Sequence, residues 1–154
     1  ILPLLSKIHS IAIKTFHTKL APHQTLVIPH ELLGYEKNEF WFNVALPGES
    51  TGVHNHNGKA LISGVYYLQT NENSSPIQFL DPRSQAHVLK PRNTPNWLNA
   101  SMMQYNAIEG RGYIFPSWLM HWVPTTEDKR ISVSWNILVR GEYGEPNTLQ
   151  NAYI

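Results

Sequence analysis

The sequence of 154 residues contains no cysteine. Disulfide bonds and thiolate ligands are therefore excluded, so any bound metal must be held by histidine nitrogens or carboxylate oxygens. No apolar run approaches the roughly 20 residues that a membrane-spanning helix needs, and no charged and apolar leader precedes a small-residue cleavage site. Together these absences are typical of a cytoplasmic protein without a membrane segment.

Charge is also scarce, at 15% charged residues with a formal net charge of +1. This composition predicts neither a basic surface for nucleic acid nor an acidic tail. The length suits one domain with a sizeable core, and we predict that residues 1–154 form a single domain.

The chain divides into three parts by hydrophobic pattern. Residues 1–22 carry apolar side chains three or four positions apart, which predicts an N-terminal supporting helix. Residues 39–140 contain short runs rich in β-branched and aromatic residues, separated by Pro, Gly, Asn and Ser, and we predict an all-β core there. The tail, residues 141–154, is polar and is expected at the surface.

The predicted strands are Phe40–Leu46, Leu61–Gln69, Ile77–Leu80, Gly112–Phe115 and Ile131–Arg140, with a brief one at Leu26–Ile28. No second helical period interrupts them, so the sheets should be mainly antiparallel and close into a sandwich or barrel. Residues 90–105 are the least regular and predict either a lid or an ordinary crossover loop.

Histidine supplies the candidate metal ligands. His54 and His56 are separated by one residue at the end of an extended segment, so their side chains should face the same way. With His121 they would give three neutral nitrogen ligands and leave coordination positions open for small molecules.

Arginine supplies a candidate anion site near the third histidine. Arg130 follows His121 by nine positions at the mouth of an alternating segment. Its planar guanidinium suits the far carboxylate of an acidic co-substrate. Ser132 shares the strand face of Arg130 and can add a hydroxyl to the same carboxylate.

Two stretches carry a resemblance to a known family, GVYYLQ (Gly64 to Gln69) and FPSWLMHWVPTTEDKRISVSWN (Phe115 to Asn136). They are similar to the 2-oxoglutarate and Fe(II)-dependent oxygenases, especially the prolyl-hydroxylase-like branch. The combination with the HxH and DPR motifs resembles small 2-oxoglutarate oxygenases of marine bacteria and phages. The resemblance implies a double-stranded β-helix, or jelly roll, over about Phe40 to Arg140.

The resemblance also implies a role for each matching position. His54, the residue at position 56 and His121 would hold Fe(II). Arg130 would bind the far carboxylate of 2-oxoglutarate, helped by Tyr67, the second tyrosine of the YYL motif. Position 56 is His where most members place Asp or Glu, and Asp81 is the alternative source of the missing carboxylate.

We therefore expect a non-haem Fe(II), 2-oxoglutarate-dependent dioxygenase that couples decarboxylation of 2-oxoglutarate to oxidation of an unidentified substrate by dioxygen. One alternative is a cupin-like dioxygenase or isomerase with a three-histidine metal and no 2-oxoglutarate. The other is a jelly-roll binding module without catalysis.

Overall fold

The computed structural model describes residues 25–27, 40–57, 62–83, 94, 96, 99–140 and 142–153. All regular structure in this part of the chain is β-strand: β1 Thr25–Val27, β2 Phe40–Ala45, β3 Thr51–His54, β4 Ile62–Gln69, β5 Ile77–Leu80, β6 Met102–Tyr105, β7 Gly112–Pro116, β8 His121–Val123, β9 Arg130–Arg140, β10 Glu142–Tyr143 and β11 Ala152–Tyr153. The helix predicted over residues 1–22 lies outside the described residues. Within them, no helix has the length and apolarity that crossing a membrane requires.

Nine strands form two antiparallel sheets, one of four strands and one of five, and the predicted all-β antiparallel core is confirmed. One sheet has the order β3-β8-β5-β6. In the other, β9 lies between β2 and β4, and β7 follows β4. Strand β1 extends this sheet along the far half of β9, and β10 pairs with β11 separately. Two facing sheets whose neighbouring strands are distant in sequence form the arrangement of a jelly roll.

Alternation along β2 shows which face of its sheet lies inward. Trp41 and Asn43 are partly buried, whereas Phe42 and Val44 are 52% and 55% exposed. Asn43 donates a hydrogen bond of 3.0 Å to the hydroxyl of Ser134 on β9. The inner face of β2 and β9 is therefore polar where it meets the cavity described below.

A cluster of buried apolar residues adjoins this cavity. It contains Val65, Tyr67, Ile77, Phe79, Ala107 and Phe115. Phe79 of β5 meets Phe115 of β7 edge-to-face at 4.9 Å between ring centroids, which joins the two sheets. Burying each such ring contributes on the order of 1.5–3 kcal/mol, so this cluster is what presses the sheets together.

Three parts of the sequence form strands that the pattern did not predict. Part of the segment 90–105 is strand β6, at Met102–Tyr105, rather than a loop. His121–Val123 forms the short strand β8, and the tail contributes β10 and β11. Each of these runs is four residues or fewer, too short to show a period of its own.

Candidate active site

Three histidines meet at one end of the sheet formed by β3, β8, β5 and β6. His54 ends β3, His56 follows in the loop after it, and His121 begins β8. Their ring centroids are 4.3 to 5.3 Å apart, and one nitrogen from each lies within 4.8 Å of the others. Nitrogens that share one ion at about 2.1 Å are roughly 3.0 to 3.4 Å apart, so small ring rotations would bring these three into coordination distance.

A β-bulge helps to aim the first histidine. Thr51 pairs with Val123 and His54 with His121. Between these two pairs β3 therefore has one residue more than β8. The extra residue bends β3 at the edge of the site, as bulges next to functional sites often do.

Backbone carbonyls fix the tautomer of two rings. His54 Nδ1 lies 2.7 Å from the carbonyl oxygen of Gly52, and His121 Nδ1 lies 2.8 Å from that of Leu119. Because a carbonyl can only accept, each Nδ1 must carry the proton and donate it. The lone pair of each ring is then on Nε2, the usual arrangement for a metal-binding histidine with a carbonyl behind it.

Burial favours the metal-binding form of His121. Its side chain is buried, and this loss of hydration lowers its pKa. The hydrogen bond to Leu119 opposes the shift, and the neighbouring His54 adds to it. A lowered pKa enlarges the neutral fraction, which is the form that can donate a lone pair to a metal.

Asn55, which the sequence pattern treats only as an outward-facing spacer, ties the two halves of the histidine cluster together. Its amide nitrogen lies 3.2 Å from the sulfur of Met120, beside His121. The backbone N–H of His56 donates to the carbonyl of Ser117 at 2.8 Å. The loop carrying His56 is thus fastened to the turn that leads into β8, and only the fold could reveal this.

Arg130 is a buried cation at the start of β9. It is 4% exposed, and its two terminal nitrogens reach only long hydrogen bonds of 3.4 Å, to Ser132 Oγ and to the Tyr67 hydroxyl. Its Nε is buried without a partner. Among the described residues, no carboxylate forms an ion pair with it. A buried guanidinium with donors to spare is suited to receive an anion.

Tyr67 supports this guanidinium from the core. The arginine carbon Cζ lies 4.9 Å from the centre of the tyrosine ring. Burial raises the pKa of Tyr67, and the nearby Arg130 partly opposes the shift. The phenol therefore stays protonated at neutral pH, and its hydroxyl can donate as well as accept.

The histidines and the arginine open into one cavity of about 100 Å³. Its walls include His54, His56, His121, Arg130 and Ser132, together with the polar side chains Asn43, Ser63, Thr51 and Ser134 and the ring of Trp41. The structure thus brings together the three histidines and the predicted anion site, although they come from distant parts of the chain.

Asp81 is placed differently. It binds Arg83 through two hydrogen bonds, of 3.1 Å to Nε and 2.8 Å to Nη2. It lines a second, larger cavity, and the cluster of candidate ligands within the described residues consists of His54, His56 and His121. The structure therefore places this carboxylate apart from the histidine cluster.

Comparison with known proteins assigns the chain to a family. Residues 39–136 match the family described as "Putative 2OG-Fe(II) oxygenase". The chain belongs to this family of 2-oxoglutarate and iron-dependent oxygenases, which confirms the resemblance seen in its sequence. No curated protein matches the chain.

Among solved structures, the fold is similar to that of a prolyl-4-hydroxylase from Pseudomonas putida, with a TM-score of 0.50 and 19% sequence identity. The match covers 71% of this chain and 56% of that one, so the chain spans little more than half the length of this relative. A cupin domain from Bordetella pertussis Tohama I matches with a TM-score of 0.37 and 14% identity, covering 79% of this chain and 98% of that one.

Proposed function

We propose that the protein is an Fe(II)- and 2-oxoglutarate-dependent dioxygenase whose iron is held by His54, His56 and His121. In this proposal Arg130, Ser132 and Tyr67 bind the far carboxylate of 2-oxoglutarate. When bound, iron and 2-oxoglutarate supply the coupling of oxidative decarboxylation to the oxidation of a second substrate by dioxygen. That substrate has no signature in the sequence.

The observation that supports this proposal is the burial of Arg130 beside the histidines with no ion pair to any described carboxylate. Burying a charge without a counter-ion costs several kcal/mol, so such a charge is expected where a bound anion can offset the cost. A dicarboxylate in the shared cavity would place one carboxylate on the guanidinium and leave its other end for the metal. The family match points to the same co-substrate.

Each residue then has a defined task. The carbonyls of Gly52 and Leu119 hold two imidazoles with Nε2 free to bind metal. Arg130 orients the co-substrate through the fork of its guanidinium, and Ser132 adds a hydroxyl on the same strand face. The cavity that these residues line is small, about 100 Å³, and leaves little room for bulk water.

The two alternatives explain less of the site. A three-histidine enzyme that does not use 2-oxoglutarate accounts for the histidine cluster but leaves Arg130 buried without a purpose. A binding module without catalysis accounts for neither the converging histidines nor the arginine.

Calorimetric titration of the Fe(II)-loaded protein with 2-oxoglutarate, without oxygen, tests the proposal. Replacing Arg130 by Met keeps the apolar stem but removes the charge. It should weaken 2-oxoglutarate binding by about 1.5–3 kcal/mol, the range for hydrogen bonds to charged groups, and leave iron affinity nearly unchanged. Arg111→Met at an exposed position is the matched control and should bind like wild type.

A second readout separates a binding role for Arg130 from a structural one. Without 2-oxoglutarate, Arg130→Met should unfold at the same temperature as wild type or higher, because the desolvation cost of an unpaired cation is gone. Equal 2-oxoglutarate affinity in mutant and wild type would remove Arg130 from its role. If aerobic reactions with 2-oxoglutarate produced no succinate with every substrate of a broad panel, the result would favour the alternative without 2-oxoglutarate.

A further inference from the structure

A second cavity, of about 530 Å³, lies beside the histidine cavity and shares Phe115 with it. Its described lining is mainly apolar and aromatic, including Phe79, Met103, Tyr105, Tyr113, Phe115 and Leu119. This size is within the roughly 300–1,000 Å³ of small-molecule sites, and the proposed chemistry makes no use of it.

Phe115 lines both cavities, and Phe79 lines the second beside it. Phe79 and Phe115 meet edge-to-face at 4.9 Å. Both also pack against the ring of His121, with centroids at 5.9 and 4.8 Å. The second cavity is therefore a separate compartment of the jelly-roll interior rather than a branch of the metal site.

The charged residues of the described lining neutralise each other. Asp81 and Arg83 are the charged residues of the described lining, and they bind each other through both carboxylate oxygens. Asp81 is 9% exposed and Arg83 67%, so the carboxylate is turned inward and capped by the guanidinium. A charged ligand would give up its hydration here without gaining a counter-charge.

The remaining polar groups are few. The Tyr113 hydroxyl donates to the carbonyl of Asn106 at 2.9 Å, which fixes its direction. Tyr105 is 42% exposed at the edge of the cavity. What the cavity offers is a set of ring edges and a flexible methionine, and these favour aromatic or branched aliphatic groups.

We propose that this cavity is a binding site for an uncharged, largely apolar organic molecule. Binding at this site requires neither iron nor 2-oxoglutarate, so it can be tested independently of the proposed function.

Two related dyes test the chemical class on metal-free wild-type protein. N-phenyl-1-naphthylamine is neutral and fluoresces in apolar sites, and 8-anilino-1-naphthalenesulfonate has the same ring system with a negative charge. The neutral dye should bind with enhanced fluorescence, and the sulfonate should bind at least about tenfold more weakly. Lack of binding by the neutral dye, or equal affinity for both dyes, would overturn the proposal.

Methionine NMR tests the location without any mutation. The chain has three methionines, and two are adjacent on β6. Met103 lines the cavity, whereas Met102 is 39% exposed and does not share its strand face. In protein labelled at the methionine methyl groups, the neutral dye should shift the signal of Met103 and leave that of Met102 in place. A shift of Met102 alone, or of neither signal, would contradict the assignment.

Filling the cavity gives an independent check. Ala100→Trp adds an indole to the cavity lining and should raise the dissociation constant of the neutral dye at least about tenfold. Val53→Trp is the matched control, since Val53 is 53% exposed on β3 and should leave the constant unchanged. Unaltered dye binding in an Ala100→Trp protein with a wild-type circular-dichroism spectrum would rule out this cavity as the site.

Discussion

The side chain of His56 sets the charge of the candidate metal centre. It stands with His54 and His121 in one cluster, at the position where the family resemblance led us to expect a carboxylate. A neutral ligand set leaves a divalent ion with its full charge, which strengthens its attraction for an anionic co-substrate and also changes its redox balance. At the scale of single residues, the properties of the metal centre therefore depend most on whether His56 is a ligand.

Replacing His56 by Ala removes a direct ligand and should lower Fe(II) affinity more than about 100-fold. Loss of a residue that only supports a ligand lowers metal affinity about 10- to 100-fold. His56→Asp should recover much of that affinity by restoring a two-histidine, one-carboxylate set. Asp81→Ala should bind iron like wild type, since Asp81 is held by Arg83. The measurement is anaerobic iron titration of all variants at one pH, as the ligands must be neutral to bind.

The opposite pattern would identify a different ligand. If His56→Ala kept its iron and Asp81→Ala lost it, the carboxylate would be the third ligand. Full iron occupancy in both His54→Ala and His121→Ala would bring down the metal site altogether.

At the scale of elements, the metal site depends on how the loop after β3 is fastened to the turn before β8. Asn55 accepts from the backbone N–H of Asn57 at 3.2 Å and donates to the sulfur of Met120. It therefore orients the loop between the two histidines of the HxH motif and links it to the strand that carries the third. We regard Asn55 as a positioning residue for His54 and His56.

Asn55→Ala removes both side-chain hydrogen bonds and should lower metal affinity about two- to tenfold, the equivalent of ~0.5–1.4 kcal/mol. Asn57→Ala is the matched control, because only its backbone N–H takes part. The Asn55→Ala and Met120→Leu effects should not add, since each removes the same contact. Additive losses, or an unchanged Co(II) absorption spectrum and affinity in Asn55→Ala, would contradict the positioning role.

A close approach between β4 and β9 explains why Gly64, the first residue of GVYYLQ, is a glycine. Gly64 on β4 pairs directly with Trp135 on β9, and a methyl group at position 64 would overlap the indole. Trp135 is only 2% exposed, so its ring has little room to move away. The two residues together fix the spacing of β4, which carries Tyr67, and β9, which presents Ser132 to the cavity.

Gly64→Ala should lower the free energy of unfolding by about 1–3 kcal/mol, the usual cost of overpacking a filled interior. Gly52→Ala is the control within another strand, because an added methyl there meets nothing within 4 Å. Thermal and denaturant unfolding of both variants measure the difference. Equal stability of Gly64→Ala and wild type would show that the indole yields easily.

The elements that the sequence predicted are runs of β-branched and aromatic residues bounded by turn residues. The boundaries of β2, β4, β5, β7 and β9 fall within one residue of the predicted runs. By contrast, β8 has three residues, and the bulge in β3 exists only relative to its partner strand. Local pattern cannot reveal either, because both are decided by pairing with distant parts of the chain.

At the scale of the whole molecule, the jelly roll divides its interior into a polar cavity and an apolar one. Strand alternation and the spacing of His121 and Arg130 pointed to five of the residues that line the first, His54, His56, His121, Arg130 and Ser132. The family resemblance added Tyr67, which lies behind Arg130 rather than in the cavity lining. The second cavity was not foreseen. Much of its lining comes from β5 and β7, which the pattern predicted only as strands, and from β6, which lies in the segment predicted as a lid or crossover loop.

A structure of the protein crystallised without oxygen with Fe(II) and 2-oxoglutarate is the most direct test of the central claim. The account predicts one metal ion bound by Nε2 of His54, His56 and His121, with the far carboxylate of 2-oxoglutarate on Arg130 and Ser132 in the cavity of about 100 Å³. A metal held by other residues, or a 2-oxoglutarate that leaves the Arg130 guanidinium without an anion, would contradict it.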